Sequence, residues 1–165
     1  MIHTIPVRRN IVKLLCFSVF LILSSTLYAK SSDDIQQILS GINKFRLLHL
    51  LAPLKLDAQL NEIAATHSQN MAKHICPIGH QGFEKRFAKI RKLKPNTMQA
   101  SENVAYGYRN IDEVIKGWTH SPGHRANILG PFSITGIAIA HDAKGRPYYT
   151  QVFARQGQIS HFRRR

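Results

Sequence analysis

Two histidines and one glutamate are the side chains of this sequence that are best suited to chemistry. His80, Glu102 and His124 lie far apart along the chain, in segments rich in turn-forming residues. Two neutral imidazoles and a carboxylate can bind a divalent cation such as zinc, or can transfer protons. No HExxH-type motif accompanies them, so the residues alone give a weak site hypothesis. The simpler interpretation, that these histidines only pack turns, stays open.

His124 follows a Ser-Pro-Gly turn in the stretch GWTHSPGHRANILG, residues 117–130. Ser121 suits an N-cap, and Pro122 suits the first helical position because it needs no hydrogen bond there. Gly130 is a typical helix stop. His124 is therefore predicted in the first turn of a short helix, where the positive helix end favours a neutral imidazole.

His80 and Glu102 also have suggestive surroundings. His80 lies between glycines in GHQG, where the backbone can approach a cavity closely. Glu102 is the only acid between Glu84 and Asp112 and directly precedes the apolar NVAY. An isolated carboxylate there requires hydrogen-bond donors or a cation nearby. His67 lies on the apolar stripe of a predicted helix, so we interpret it as a core residue or a support for the site.

The elements that must position these residues are helices first and strands last. A helix is predicted from Ser32, and a second from about Asp57 to His74, with the apolar connector LLHLLAPLKLD between them. A short basic helix, FEKRFAKI, and an extended segment, SENVAYGY, follow. Asn110 and Glu113 resemble a capping box that opens another helix. ITGIAIAHD and YYTQVFAR are predicted strands joined by the turn DAKGRP, which gives an α+β layered domain.

The N-terminus has the pattern of an export signal. Basic residues precede the uncharged run LLCFSVFLILSSTL, and cleavage is expected after Ala29. We therefore assign 1–29 to a signal peptide, 30–34 to a short leader, 35–157 to one domain and 158–165 to a basic tail. An uncleaved anchor is the alternative. After cleavage Cys76 is the only cysteine, so core burial must stabilise the domain without disulfides.

The chain is strongly basic. It has 23 Lys and Arg against 9 acids, a formal net charge of +14. Such a surface attracts anionic lipid or acidic envelope polymers, and a solvated basic face is the simpler interpretation. No nucleic-acid module is present, so no specific nucleic-acid partner is expected. We predict an exported monomer, periplasmic or extracellular, with no transmembrane span in the mature chain.

Five segments in order, HSQNMAKH, GHQGFEKR, SENVAYGY, GWTHSPGHRANILG and YYTQVFA, resemble the bacterial branch of the CAP superfamily. The resemblance covers about residues 35–154. It implies a three-layer α-β-α sandwich with a central antiparallel sheet, and a shallow cavity lined by His80, Glu102 and His124. In some members of that superfamily the cavity binds divalent metal. Three positions depart from the family motifs: Ser101, Ser121 and Tyr148.

Three functions are compatible with this pattern. The first is a non-catalytic binding module for a lipid, an envelope component or a partner protein. The second is a metal-assisted hydrolase or peptidase that uses His80, Glu102 and His124. The third is an envelope structural or host-interaction protein with a vestigial cavity. We expect no peptidase turnover and only weak zinc binding by His80 and His124, with hydrogen bonds available from Asn103, Tyr148 and Gln151.

Overall fold

A computed structural model describes residues 32–157 of the protein. The predicted signal peptide, residues 30–31 of the leader and the tail from residue 158 lie outside the described residues. Inter-residue contacts divide the chain into two units between Asp34 and Ile35, and the domain described below is the second. The elements are α1 (32–48), β1 (Lys55–Leu56), α2 (Ala58–Ala72), α3 (Phe83–Leu93), β2 (Thr97–Tyr106), α4 (Ile111–His120), α5 (Pro122–Ile128), β3 (Ile134–His141) and β4 (Pro147–Gln156).

The four strands form one sheet in the order β1-β3-β4-β2. β4 pairs antiparallel with both β2 and β3, which confirms the predicted antiparallel sheet for the three long strands. The turn after β3 closes the predicted hairpin, with Gly145 in the left-handed region. β1 differs from expectation. It lies in the predicted apolar connector and pairs with β3 in parallel over two residues.

Helices cover both faces of the sheet, as the predicted three-layer sandwich requires. On one face α2 and α3 pack against β3 and β4 through one apolar cluster that includes Leu60, Ile63, Ile90 and Val152. On the other face the apolar side chains of α1, α4 and α5 surround Trp118 and Phe153. In the described part of the chain, no helix has both the length and the apolar character that crossing a membrane requires.

Local sequence signals fix most helix ends. Asp57 caps α2 by accepting hydrogen bonds from the backbone N–H groups of Gln59 and Leu60. Asn110 caps α4 through the N–H of Glu113, as predicted. Ser121 is the N-cap residue of α5, but its side chain makes no capping hydrogen bond, so that part of the prediction is wrong. Pro122 at the first turn reduces the number of N–H groups that need a cap.

Gly136 is predicted to tolerate no side chain. It lies in β3 where α2 crosses the sheet, and a Cβ there would overlap the backbone of Leu60 and Asn61. We expect Gly136→Ala to lower the free energy of unfolding by about 2–3 kcal/mol, because the helix must move away from the sheet. Gly123→Ala is the matched control, since a Cβ at Gly123 meets nothing within 4 Å. Urea denaturation measures both, and equal midpoints would refute the close-packing argument.

Candidate functional site

Glu102 is the centre of the site. It lies in β2, on the sheet face covered by α2 and α3, and its side chain is 1% exposed. Arg86 of α3 binds it with two hydrogen bonds, from Nε to Oε2 at 2.7 Å and from Nη2 to Oε1 at 2.7 Å. Such bidentate pairs are strong and directional. The cation that the sequence required near Glu102 is therefore Arg86.

His80 extends from the loop between α2 and α3 onto the same carboxylate. Its Nδ1 lies 3.1 Å from Oε1 of Glu102. A carboxylate only accepts hydrogen bonds, so Nδ1 is the donor, and in a neutral ring Nε2 remains an acceptor. The His80 side chain is 54% exposed. Gly79 and Gly82 on either side of His80 both adopt positive φ, so the loop uses glycine for its backbone conformation. A Cβ at Gly79 would meet nothing within 4 Å, so close approach is not the reason for glycine there.

His67 supports that loop from below. It is buried on α2, and its Nε2 donates a hydrogen bond of 2.8 Å to the backbone oxygen of Gly79. The same nitrogen lies 3.8 Å from Oε1 of Glu102. Burial lowers the pKa of His67, and this exceeds the opposing effect of its bond to Gly79 and of the charge on Glu102. His67 is therefore a neutral support for the site.

His124 approaches from the other layer, in the first turn of α5. Burial lowers the pKa of His124, and the charge of a protonated His80 lowers it further. Two asparagines attach this helix to β2, the outer strand of the sheet. Asn103 donates to the backbone oxygen of His124 at 3.1 Å, and Asn127 donates to the backbone oxygen of Glu102 at 3.0 Å.

The remaining predicted cavity residues lie elsewhere. Asn103 is fully buried and its amide group is used within the fold, by His124 and by Asn127. Gln151 pairs with Asn103 across the sheet, on the face opposite to Glu102, and donates to the hydroxyl of Thr135. Tyr148 is on the Glu102 face but is buried in a separate apolar cluster. Asn103 therefore supports the helix that carries His124, whereas Gln151 and Tyr148 are buried in the sheet layers.

The predicted family is matched by a model of the CAP: Cysteine-rich secretory protein family, over residues 39–153. The chain belongs to this family. Over 125 residues it is 32% identical to the uncharacterized membrane protein YlbC of Bacillus subtilis (strain 168). The aligned segment covers 73% of this chain and 34% of that protein. This CAP chain therefore spans about a third of that relative.

Solved structures show the same fold. An outer surface protein of Borrelia burgdorferi superimposes with a TM-score of 0.68 at 19% identity, over 77% of this chain and 96% of that one. An extracellular protein containing a SCP domain, from Bacillus anthracis str. Ames, gives a TM-score of 0.63 at 27% identity. The superposition covers 76% of this CAP chain and 41% of the Bacillus anthracis chain.

Two residues of the CAP site were not found from the sequence. Arg86 is one of several cations in the basic helix, and only the rotation of α3 against the sheet selects it. Asn127 lies in the stretch SPGHRANILG, whose turn and cap signals predict no role for it. Arg86 and His67 also border a small cleft between α2 and α3, about 90 Å³ in volume, whose other lining residues are Ile63, Thr66, Asn70 and Lys89.

A divalent cation does not fit the full predicted ligand set. Both oxygens of Glu102 accept hydrogen bonds from the guanidinium of Arg86, which would repel a cation placed on that carboxylate. Within residues 32–157, no group of three or more His, Cys, Asp or Glu side chains is arranged to hold a metal ion. Of the three predicted ligands, His80 and His124 remain, because Arg86 makes no hydrogen bond to either imidazole ring.

Acid is predicted to weaken the CAP domain through its buried histidines. Burial lowers the pKa of His67 and of His124, so the unfolded chain takes up protons first as pH falls through about 6.5. The stability of the neutral rings is therefore complete above that pH and is lost progressively below it. Urea midpoints at pH 7.5 and 5.5 should differ less in His67→Gln than in the unchanged protein. The exposed His141→Gln is the control, and an unchanged pH dependence in His67→Gln would contradict the prediction.

Proposed function

We propose that this chain is an exported binding module that recognises a component of the cell envelope through the imidazole of His80. The bidentate Arg86–Glu102 pair carries this proposal. It neutralises the buried carboxylate and fixes Nδ1 of His80, so that the ring offers Nε2 as a hydrogen-bond acceptor. Groups that donate to such an acceptor are hydroxyls and amide N–H groups, which are abundant in saccharide and peptide polymers.

Export and an anionic partner are supported by features outside the His80 site. The N-terminal sequence has the pattern of a signal peptide. One structural relative is called an outer surface protein, and another an extracellular protein. Cleavage after Ala29 removes Arg8, Arg9 and Lys13, which leaves 20 Lys and Arg against 9 acids, and this excess of cations favours an acidic polymer or an anionic lipid over a neutral one. A periplasmic or extracellular monomer is the form in which we expect the module to act.

Binding of muropeptides released from purified peptidoglycan, and of a soluble anionic wall polymer, tests the proposal. His80→Ala removes the acceptor and is expected to weaken binding about five- to tenfold, because one ligand hydrogen bond is lost. His141→Ala removes an exposed histidine outside the site and should leave affinity unchanged. Equal affinity of the His80→Ala variant and the unchanged protein would refute the role of this imidazole.

The metal-assisted hydrolase is the alternative use of the same residues. Chelator-sensitive cleavage of a generic protein substrate, abolished by Glu102→Gln in a folded protein, would replace the binding proposal. A structural or host-interaction protein with a vestigial cavity makes a different prediction. In that case, joint replacement of His80, Glu102 and His124 would leave the phenotype of the host cell intact.

Zinc binding is predicted to be weak and to depend on two imidazoles. Titration calorimetry should detect reversible binding to the unchanged protein and much smaller heats for His124→Ala. Binding should fade below about pH 6, because protonated imidazoles do not bind metal. Equal heats for the two proteins would contradict the assignment of His80 and His124 as ligands.

A further inference from the structure

The C-terminal end of α1 exposes a cluster of leucines. Residues 47–51, LLHLL, are called the leucine tip below. Within this segment Leu47 is 57% exposed, Leu48 74% and Leu50 97%. Single exposed leucines are common on protein surfaces, but three in four consecutive residues form an apolar projection that water solvates poorly.

Leu50 has a backbone conformation that leucine rarely adopts. Its φ is 59°, in the left-handed region. The N–H of Leu50 donates to the oxygen of Leu47, and that of Leu51 donates to the oxygen of Arg46, so the tip ends α1 at a position where glycine is usual. The Cβ of a leucine raises the free energy of this left-handed conformation relative to glycine. Because the Leu50 side chain is exposed, packing contacts do not offset that cost. Uncompensated strain in a protruding residue suggests a role outside the fold.

Side chains beneath the leucine tip connect it to the rest of the fold. The buried guanidinium of Arg46 donates to the backbone oxygens of Ala52 and Ile128, which joins the two sides of the turn to α5. His49 stays on the scaffold side, with its ring 4.4 Å from that of Phe45 and its Nδ1 bonded to the backbone oxygen of Phe45. The leucines are therefore the part of the turn that projects.

Two cations lie beside the leucine tip. Lys44 lies one turn earlier on α1, and Arg125 of α5 lies 5.8 Å from the ring of Phe45 and 3.4 Å from Nε2 of His49. Among the described residues, no carboxylate pairs with Lys44 or Arg125. The segments that build this corner, 35–56 and 114–141, contain no Asp or Glu. An apolar projection with unpaired cations is complementary to an anionic lipid surface.

We infer that the leucine tip docks the protein on an anionic membrane surface. The leucine side chains enter the boundary between headgroups and acyl chains, while Lys44 and Arg125 contact lipid phosphates. This docking leaves the fold unchanged. It also does not depend on the His80 site, so either proposal can fail without the other.

Flotation of the exported form, which begins at Lys30, tests this inference, because the apolar run LLCFSVFLILSSTL of the signal peptide would itself enter vesicles. Vesicles of phosphatidylcholine with and without about 30% phosphatidylglycerol are the probes, because the anionic lipid supplies the charge that the cations require. We expect Leu48→Asn/Leu50→Asn to bind anionic vesicles at least about fivefold more weakly, because apolar area no longer enters the bilayer. Arg125→Gln should weaken binding about fivefold on anionic vesicles only. Asn tolerates positive φ, so the leucine variant should be at least as heat-stable as the unchanged protein.

Ile75→Asn is the matched control, because Ile75 is 68% exposed and lies after α2, outside the tip. It should bind anionic vesicles as the unchanged protein does. Absence of vesicle binding, or equal loss in the tip and Ile75 variants, would overturn the inference. A dimer in sedimentation that the tip substitutions dissociate, without vesicle binding, would instead identify a second copy of the chain as the occupant.

Discussion

Replacement of Arg46 by methionine is expected to lower the free energy of unfolding by about 4 kcal/mol. The Arg46 side chain is buried, and burial lowers its pKa. Its guanidinium donates to four backbone oxygens, those of Ala52, Ile128, Gly130 and Phe132, at 2.6–3.1 Å. Methionine fills much of the same volume but donates no hydrogen bond. The oxygen of Gly130 would keep the N–H of Phe132 as a donor, whereas the oxygens of Ala52, Ile128 and Phe132 would lose the donor that Arg46 supplies.

Urea denaturation measures this loss, and two variants control for simpler causes. Lys44→Met makes the same change on an exposed position of the same helix, so it should shift stability by no more than about 0.5 kcal/mol. Arg46→Lys keeps the charge and some donors, so its loss should be intermediate. A loss below about 1 kcal/mol for Arg46→Met would show that water satisfies the carbonyls.

The sequence predicts the elements whose signals are local. The helix start near Asp57 and the cap at Asn110 depend on neighbouring residues, and the structure confirms both. β1 was missed because a two-residue strand has no periodicity of its own. It exists because Lys55 and Leu56 meet β3, which lies far away in the sequence.

The lining of the site was harder to predict, because it depends on sheet face and strand register. Tyr148 and Gln151 are three residues apart on one strand, so alternation alone places them on opposite faces. Asn103 follows Glu102 directly and must also face away from it. That much was available from the sequence. The register that places Gln151 beside Asn103 was not, since it follows from the pairing of β2 with β4.

Replacement of Arg86 by methionine is expected to lower the free energy of unfolding by about 3–5 kcal/mol at pH 7. The carboxylate of Glu102 is almost fully buried, and Arg86 supplies two of its hydrogen bonds. Without the guanidinium of Arg86, the buried carboxylate of Glu102 keeps one hydrogen bond from the site side chains, the bond from half-exposed His80.

A double-mutant cycle separates this pair from ordinary packing loss. Glu102→Gln alone should also destabilise the protein, while Arg86→Met combined with Glu102→Gln should cost less than the sum of the single changes, with a coupling of about 2 kcal/mol. Additive losses would refute the ion pair as the centre of the site.

NMR titration of His67 in the Arg86→Met variant gives a second readout. Burial is the main cause that lowers the pKa of His67, and the positive charge of Arg86 lowers it further, so Arg86→Met should raise that pKa. Because the same pair holds Nδ1 of His80, a variant that is folded at pH 7 but has lost this orientation should also bind the envelope ligand more weakly.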